Sequence, residues 1–481
     1  MDIVFESGGS EARFNTYLDA LSAELGHADR AVPFQSYCTG LLLPGERKSV
    51  EPMAARVEPE RVQATHQSLH HLVAKADWSD EAMLTAVRSQ VLPAIEPHGA
   101  INAWIVDDTG FPKKGKHSVG VARQYCGQLG KQDNCQVAVS LSVANDHASL
   151  PVAYQLYLPE AWASEHAREG GDQARRRKAG VPDDIAFQTK PQIALGQIRA
   201  ALLAGVPRAV VLADAGYGVD TEFRDGITEL GLPYVVGIQS STTLWPPGQE
   251  PLPPKPWSGR GRRPTRLRHD DDHQPVSAKN LALGLPTKAF RRVTWREGSN
   301  TKLASRFAAV RVRPAQGDTS RCEPRAEAWC LIEWPKDEAE PIKYWFSTLP
   351  ADTSRADLVR QAKRRWRIER DYQDLKQELG LGHYEGRGWR GFHHHATLCI
   401  AAYGFLIMER AAFPPRQTDQ PHSSRHLRYP KVSDLADLPV RPERHVQTSI
   451  TTIRITIARG LARKLSRCPC CQSRLNHPNR L

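Results

Sequence analysis

Apolar residues in the first hundred positions recur at the three- and four-residue intervals of a helix. Phe14, Tyr17, Leu18, Leu21 and Leu25 form one such stripe, and Leu69, Leu72 and Val73 form another inside THQSLHHLVAKADW. SDEAMLTAVRSQVLPAI predicts a further helix, because Ser79 followed by Asp80 and Glu81 suits a helix N-terminus. From Ile101 the interval shortens to that of strands. INAWIVDDTG is an apolar strand ending in two acids and a threonine, and FPKKGKHSVGVARQYCGQLGK after it is a glycine- and lysine-rich loop. CQVAVSLSVAN (135–145) and SLPVAYQLYLP (149–159) alternate as two more strands, joined in a hairpin at Asp146 and His147. WASEHAREGGDQARRRKAGVPDD is polar and irregular, a basic loop or short helix over the sheet. Then come a helix at Lys190–Leu203, a short strand in PRAVVLADAGYG, a helix in GVDTEFRDGITELG and a strand in LPYVVGIQ.

Three strands, a helix, a strand, a helix and a strand is the order of a ribonuclease-H-like α/β fold, a mixed sheet flanked by helices. In it the first strand and the strand after the first helix are parallel neighbours. Asp107 or Asp108 ends the first of these and Asp214 ends the other, so the acids emerge side by side. The implied organisation has five parts: a helical domain at 1–98, a candidate DNA-end binder; the first part of the catalytic domain at 99–239; a β-rich insertion at 240–341; the rest of the catalytic domain at 342–413; and a basic, proline-rich, poorly patterned tail at 414–481. The insertion begins with WPPGQEPLPPKPWSGRGRRPTR, which is extended and rich in proline, glycine and arginine. KYWFSTLP (343–350) resumes a buried strand, and HHATLCIAAYGFLIMERAAF (394–413) is apolar nearly all round and predicts a buried helix.

The helix predicted over Gln361–Leu381, QAKRRWRIERDYQDLKQELGL, has its own stripe in Ile368, Tyr372, Leu375 and Leu379. Beside the stripe, Arg365, Glu369 and Lys376 fall within roughly 40° of one another at about 100° per residue. The helix docks by its apolar side and presents a carboxylate between two cations.

Composition narrows the class. Of 481 residues 40 % are hydrophobic and 25 % charged, as in ordinary soluble globular proteins, and no apolar run is long enough to span a membrane. The acidic start MDIVFESGGSEARF lacks the apolar region of a secretory signal, and nine scattered cysteines fit reduced thiols, so a cytoplasmic protein is expected. Lys plus Arg is 65 against 53 acids, a net +12 carried mainly by arginine clusters at 175–178, 260–268, 363–370 and in the last forty residues. Such clusters suit phosphate backbones, because a planar guanidinium donates two hydrogen bonds at once. Two strand-end aspartates and a helix glutamate converging would repel one another unless a divalent cation lay between them. Oxygen-only ligands favour Mg²⁺ or Mn²⁺, and two such ions roughly 4 Å apart can activate a nucleophile and stabilise a leaving oxygen of a phosphodiester.

With these residues in view, the chain from about 35 to about 410 resembles the DDE transposases of bacterial insertion sequences. RWRIERDYQDLK carries Arg365, Glu369 and Lys376 at the spacing of that family's Y-x2-R-x3-E-x6-K signature, with Ala362 where the tyrosine would fall. VDDTGFPKKGKHSVGVARQYCG and VVLADAGYG resemble the first- and second-acid blocks of one branch, and LLLPGERKSVEPMA its N-terminal region. The resemblance implies a metal-binding catalytic triad of Asp107, Asp214 and Glu369, Asp107 being preferred over Asp108 because Asp107-Asp108-Thr109 satisfies Asp-x-Thr. It implies Mg²⁺, with Mn²⁺ substituting and two ions in use. Arg365 and Lys376 would contact phosphates near the scissile bond. Lys113, Lys114 and Lys116 would meet the backbone, and Trp295 is the insertion tryptophan that could stack on a flipped base. The partners implied are double-stranded DNA, as terminal inverted repeats and target, and a second copy of the chain; no membrane is expected, and DNA-bound protein would sit on the nucleoid.

Other features weigh less. His66, His70 and His71 are surface or core histidines with no metal, and Cys468, Cys470, Cys471 and His477 resemble a zinc knuckle that no second cysteine pair completes. His393 to His395 begin the buried helix. Two alternatives keep the fold and change the function: a nuclease without strand transfer, and a non-catalytic DNA-binding regulator.

Overall fold

A computed structural model of the protein describes residues 9–163, 172–297, 302–413 and 449–469. These form two compact units: one comprises the residues up to Gly99 together with those from Gln373 onward, the other Ala100–Tyr372. The first begins with helices α1 (Ser10–Ser22), α2 (Ala31–Leu42), α3 (Val50–Val57), α4 (Val62–Ala74) and α5 (Asp80–Ile95). The predicted stripes are the buried ones, with Phe14, Tyr17, Leu18, Leu21, Leu69, Leu72 and Val73 withdrawn from solvent. Ser79 caps α5, its hydroxyl accepting from the Ala82 amide at 3.1 Å.

The second unit is built on a sheet that, among the described residues, has twelve strands: β1 (Ala103–Pro112), β2 (Ala122–Cys126), β3 (Lys131–Ala144), β4 (Ser149–Leu156), β5 (Val210–Ala213), β6 (Tyr234–Ile238), β7 (Thr243–Trp245), β8 (Val276–Ser277), β9 (Arg291–Glu297), β10 (Lys302–Pro314), β11 (Ala328–Glu333) and β12 (Lys343–Ser347). Its order is β2-β3-β1-β5-β6-β12-β11-β10-β7-β8, with β4 on β3 and β9 on β10. The pairs β1–β5 and β5–β6 are parallel, as a ribonuclease-H-like arrangement demands, while β3 runs antiparallel to β1. Helices α6 (Asp172–Ala179), α7 (Lys190–Leu203), α8 (Thr221–Glu229) and α9 (Ala278–Gly284) fill the connections. A capping box starts α7, where Thr189 and Gln192 satisfy each other's backbone amides. Strand β12 bonds to β6 on one side and β11 on the other, so the strands of the 240–341 segment extend the same sheet.

Helices α10 (Arg355–Arg364) and α11 (Trp366–Gln377) cover one face of it. Leu358, Val359, Ala362, Ile368 and Tyr372 join Ala103, Ile105, Leu212, Val235, Phe307 and Trp345 in one core. The single helix expected over 361–381 is two helices joined at Arg365. Arg365 keeps right-handed helical dihedrals, but the Ile368 amide bonds back three residues to the Arg365 carbonyl at 3.2 Å, a tightened turn. Two further differences concern strands. The lysine-rich stretch expected as loop contains β2, which pairs with β3. Strand β1 continues to Pro112 on β3 after its pairing with β5 stops at Ile105, so the two acids lie within the strand and not at its end.

Helices α12 (Trp389–Ala412) and α13 (Ile450–Lys464) complete the first unit. The ring of Phe14 lies 4.9 Å from that of Phe405, and the Tyr17 hydroxyl donates to the Ala401 carbonyl at 2.9 Å. Gly404 lets α5 come close: a Cβ there would be 3.0 Å from methyls of Val87 and Val91. Helix α13 lies where a poorly patterned tail was expected. Its apolar residues Ile450, Ile457 and Leu461 are buried, though polar residues crowd the stripe, and Arg454 donates to the Glu378 carboxylate at 2.7 Å. Cys470, Cys471 and His477 lie outside the described residues.

Lys48 is 3 % exposed, with its ammonium on the carbonyls of Leu41 and Glu378. Burial, then the nearby Arg454 charge, pulls its pKa down to about 7. Because this lies below the ordinary lysine value, the unfolded chain binds more protons above pH 7, and stability rises with pH until the unfolded lysine titrates near pH ~10. The denaturant midpoint of the wild-type chain should climb across that window, and Lys48→Met should flatten the climb; equal slopes for the two proteins would refute it.

Candidate active site

Successive side chains on a strand point to opposite faces. Ala103 and Ile105 of β1 lie in the core under α10 and α11, so Asp107 shares the face those helices cover. Asp108 takes the other face, where its Oδ2 meets Nζ of Lys190, at the start of α7, at 3.0 Å and accepts from the Tyr217 hydroxyl at 3.4 Å. On β5, Asp214 follows the last strand residue and caps the short helical turn Ala215–Gly218, its Oδ1 accepting from the Gly216 amide at 2.8 Å. That turn sits against β6 with no room for a side chain. A Cβ on Gly237 would lie 2.8 Å from the Ala215 nitrogen and 3.0 Å from the Asp214 carbonyl carbon, and one on Gly218 would lie 1.9 Å from the Gly237 oxygen.

Between the acids stands Arg365. Its Nη1 donates to Asp107 Oδ2 and its Nη2 to Glu369 Oε1, both at 2.6 Å. Burial opposes the guanidinium charge, but Asp107, then Glu369 and Asp214, raise its pKa and keep it protonated. Asp107 is the strained member. Burial pushes its carboxyl up to about 7 against the pull of Arg365, with Asp214 and Asp108 pushing the same way. Two phenols flank the acids. Burial, and after it Asp108, holds Tyr217 well above the ordinary tyrosine value; burial and Asp107 do the same to Tyr372, whose hydroxyl shares a 2.8 Å hydrogen bond with Ser140. The sequence pattern did not single out Lys190, Tyr217, Tyr372 or Ser140. Tyr372 counted only as an apolar stripe residue, and nothing in its spacing reveals a hydroxyl beside an acid.

The other expected contacts fall in different settings. Lys114 and Lys116 are exposed and Lys113 is half-buried in the turn after β1. The turn is shaped by Asn134, whose side chain donates to the carbonyls of Lys113 at 2.6 Å and Gly115 at 2.9 Å, and Arg175 of α6 donates to the Lys116 carbonyl at 2.8 Å. Lys376 is half-buried further along α11. Trp295 is half-buried against the sheet core, edge-to-face with Phe307 at 5.7 Å, and the Lys363 ammonium lies 4.5 Å from its ring centre. The 363–370 basic cluster is partly committed inside the protein, since Lys363 pairs with Glu333 and Arg364 with Asp146, each at 2.6 Å. His66 and His70 stack on each other, and His394 stacks on Trp78 at 3.7 Å.

Among the described residues, no three His, Cys, Asp or Glu side chains converge closely enough to hold an ion as they stand. The donor chemistry nevertheless fits a divalent cation. Asp107, Asp214 and Glu369 offer only hard oxygens, Asp214 adds to the repulsion on buried Asp107, and the Arg365 guanidinium is the positive charge that all three act on.

A family model described as DDE superfamily endonuclease matches residues 20–302, a span that holds Asp107 and Asp214 and ends before Glu369. A probable transposase for insertion sequence element IS701 from Microchaete diplosiphon is 32 % identical over 176 residues, which is 36 % of this chain and 41 % of that protein. The alignment thus spans about two fifths of that relative's length.

The close packing under Asp214 is testable. Gly237→Ala should drive the Asp214 turn off β6, costing about 1–3 kcal/mol of stability in a denaturant titration as overpacked sites do. An unchanged midpoint would show that the backbone contact is not tight.

Proposed function

Since the chain belongs to the DDE superfamily endonucleases, a family that depends on a divalent metal, we propose that it is a DNA transposase. It hydrolyses the phosphodiester at the 3′ ends of its element and joins those ends to target DNA. The observation that carries this is the gathering of Asp107, Asp214 and Glu369 around one guanidinium, from β1, the end of β5 and a helix docked on the same sheet. The resemblance of the RWRIERDYQDLK segment and the similarity to a probable insertion-sequence transposase support it.

Asp107, Asp214 and Glu369 would hold the metal, Mg²⁺ with Mn²⁺ substituting and two ions in use. When bound, it supplies Lewis acidity to the attacking and leaving oxygens of the phosphodiester. The chain's own residues supply the rest. Arg365, released from Asp107 and Glu369, would donate both arms of its guanidinium to a phosphate near the scissile bond, and Lys376 would contact phosphates near that bond as well. Lys113, Lys114 and Lys116 meet the backbone next to the first acid, in a turn that Asn134 holds in shape. Asp108 stays outside the triad, engaged by Lys190 and Tyr217. Ala362 stands where the signature has tyrosine, in a position buried among Leu358, Val359 and Ile368. Trp295, with the Lys363 ammonium over its ring, is the residue that would stack on a flipped base. The DNA partners are the terminal inverted repeats and the target duplex, engaged by a homodimer in the cytoplasm. Among the described residues no helix is long and apolar enough to cross a membrane.

Asp107→Ala, Asp214→Ala and Glu369→Ala should each cut strand cleavage by at least about 10³-fold while leaving binding of labelled terminal-repeat DNA intact. Cleavage near the wild-type rate in any of them removes that residue from the triad. With Mn²⁺ and terminal-repeat DNA the wild-type protein should also yield joined products; cleavage without joining would leave a nuclease.

A further inference from the structure

A second basic element lies within the 240–341 segment. Leu252 and Arg268 form an antiparallel bridge, exchanging backbone hydrogen bonds at 2.8 and 3.0 Å, and Leu267 beside it is buried and bonded to the Arg321 carbonyl. From this pinned base, residues 253–266, PPKPWSGRGRRPTR, run as an exposed arm without helix or strand, Pro254 alone being half-buried. Every position from Pro256 to Arg266 is exposed. The arm carries Lys255, Arg260, Arg262, Arg263 and Arg266 and no acid, and among the described residues none of these five has an ion pair or hydrogen bond. Their situation is unlike that of Lys363, Arg364, Arg365 and Arg454, each of which is spent on a carboxylate of the protein.

The arm is also shaped. The Trp257 indole N–H donates to the Gly261 carbonyl at 3.2 Å, closing a turn in which Gly259 and Gly261 take φ of 83° and 74°. Those left-handed conformations cost other residues dearly, and four prolines at 253, 254, 256 and 264 limit the arm's freedom before it binds anything. A narrow, non-helical strand of arginine and glycine cannot read the wide major groove as a helix does. It matches the minor groove, about 6 Å across, whose negative potential is deepest where A·T runs narrow it and where arginines insert.

We propose that the 253–266 arm binds duplex DNA in the minor groove, with Arg260, Arg262, Arg263 and Arg266 entering A·T-rich sequence and Trp257 setting the turn that presents them. This rests on the DNA-directed function above and adds a contact separate from the acid site. It predicts a preference for A·T-rich flanks in whichever duplex the arm meets.

The test uses the full chain and the fourfold variant Arg260→Ala, Arg262→Ala, Arg263→Ala, Arg266→Ala. All four residues are exposed, so the thermal midpoint should not move and serves as the folding control. Binding is read by fluorescence anisotropy on A·T-rich and G·C-only duplexes across a salt series, with netropsin as a minor-groove competitor. The variant should lose at least tenfold affinity for the A·T-rich duplex, and its log K against log salt slope should shrink by about 3–4, near 0.9 for each cation removed. Netropsin should weaken the wild type and leave the variant unchanged. Equal affinity and slope for the two proteins, indifference of the wild type to netropsin, or preference of the wild type for anionic vesicles over duplex would each overturn the arm. A wild-type chain that binds no duplex at all would sink the transposase proposal along with it.

Discussion

Carboxylates crowded in a half-dry pocket repel, and the Arg365 guanidinium is the cation that holds Asp107 and Glu369 at one place in this chain. The pairing does not remove the strain. Asp107 remains hard to ionise because burial and two neighbouring aspartates outweigh one arginine. Burial and like charges together raise the cost of ionising such a carboxyl, and a single guanidinium offsets only part of it. Everything around it serves to keep the acids at fixed positions. The first is held within a strand by β3, the second by a capped turn against β6, and the third on a helix whose neighbouring turn is tightened at Arg365 itself.

The sheet makes this geometry possible through backbone contact as much as through side-chain packing. Gly218 and Gly237 bring the Asp214 turn within touching distance of β6, and no residue with a Cβ fits either place. Because β1 outlasts β5, Asp107 sits where one strand continues and its parallel neighbour has stopped. Open α/β sheets commonly place their chemistry at the carboxyl ends of parallel strands.

The distribution of cations follows the same economy. Arginines and lysines near the acids are mostly engaged by the protein's own carboxylates, with Lys363 on Glu333, Arg364 on Asp146 and Lys190 on Asp108. Net charge therefore overstates the positive surface available to a polyanion close to the site. The available charge lies in shaped segments lacking acids of their own: the turn carrying Lys114 and Lys116, and the 253–266 arm. Such a division suits a protein that needs a well-ordered acid pocket and a separate hold on DNA backbone.

Much of the architecture was legible in the chain because period and order are local properties. The switch from helical to strand spacing at Ile101, the strand and helix order to Ile238, and the stripe of Ile368 and Tyr372 all survive in the structure. The Arg365, Glu369 and Lys376 motif is likewise a short-range residue pattern, though the structure breaks the helix at Arg365 and leaves only Glu369 and Lys376 within α11. What the tertiary structure decided depends on partners distant in sequence. Pairing with β3 and β5 set Asp107 inside its strand, and strand alternation put it on the helix-covered face and Asp108 on the other, beside Lys190. Core packing turned Trp295 and Lys363 toward each other, and a helix emerged at Ile450–Lys464 from a tail whose apolar residues were too diluted to announce it. Period is written in neighbours along the chain, whereas the partner of a charge is written only in space.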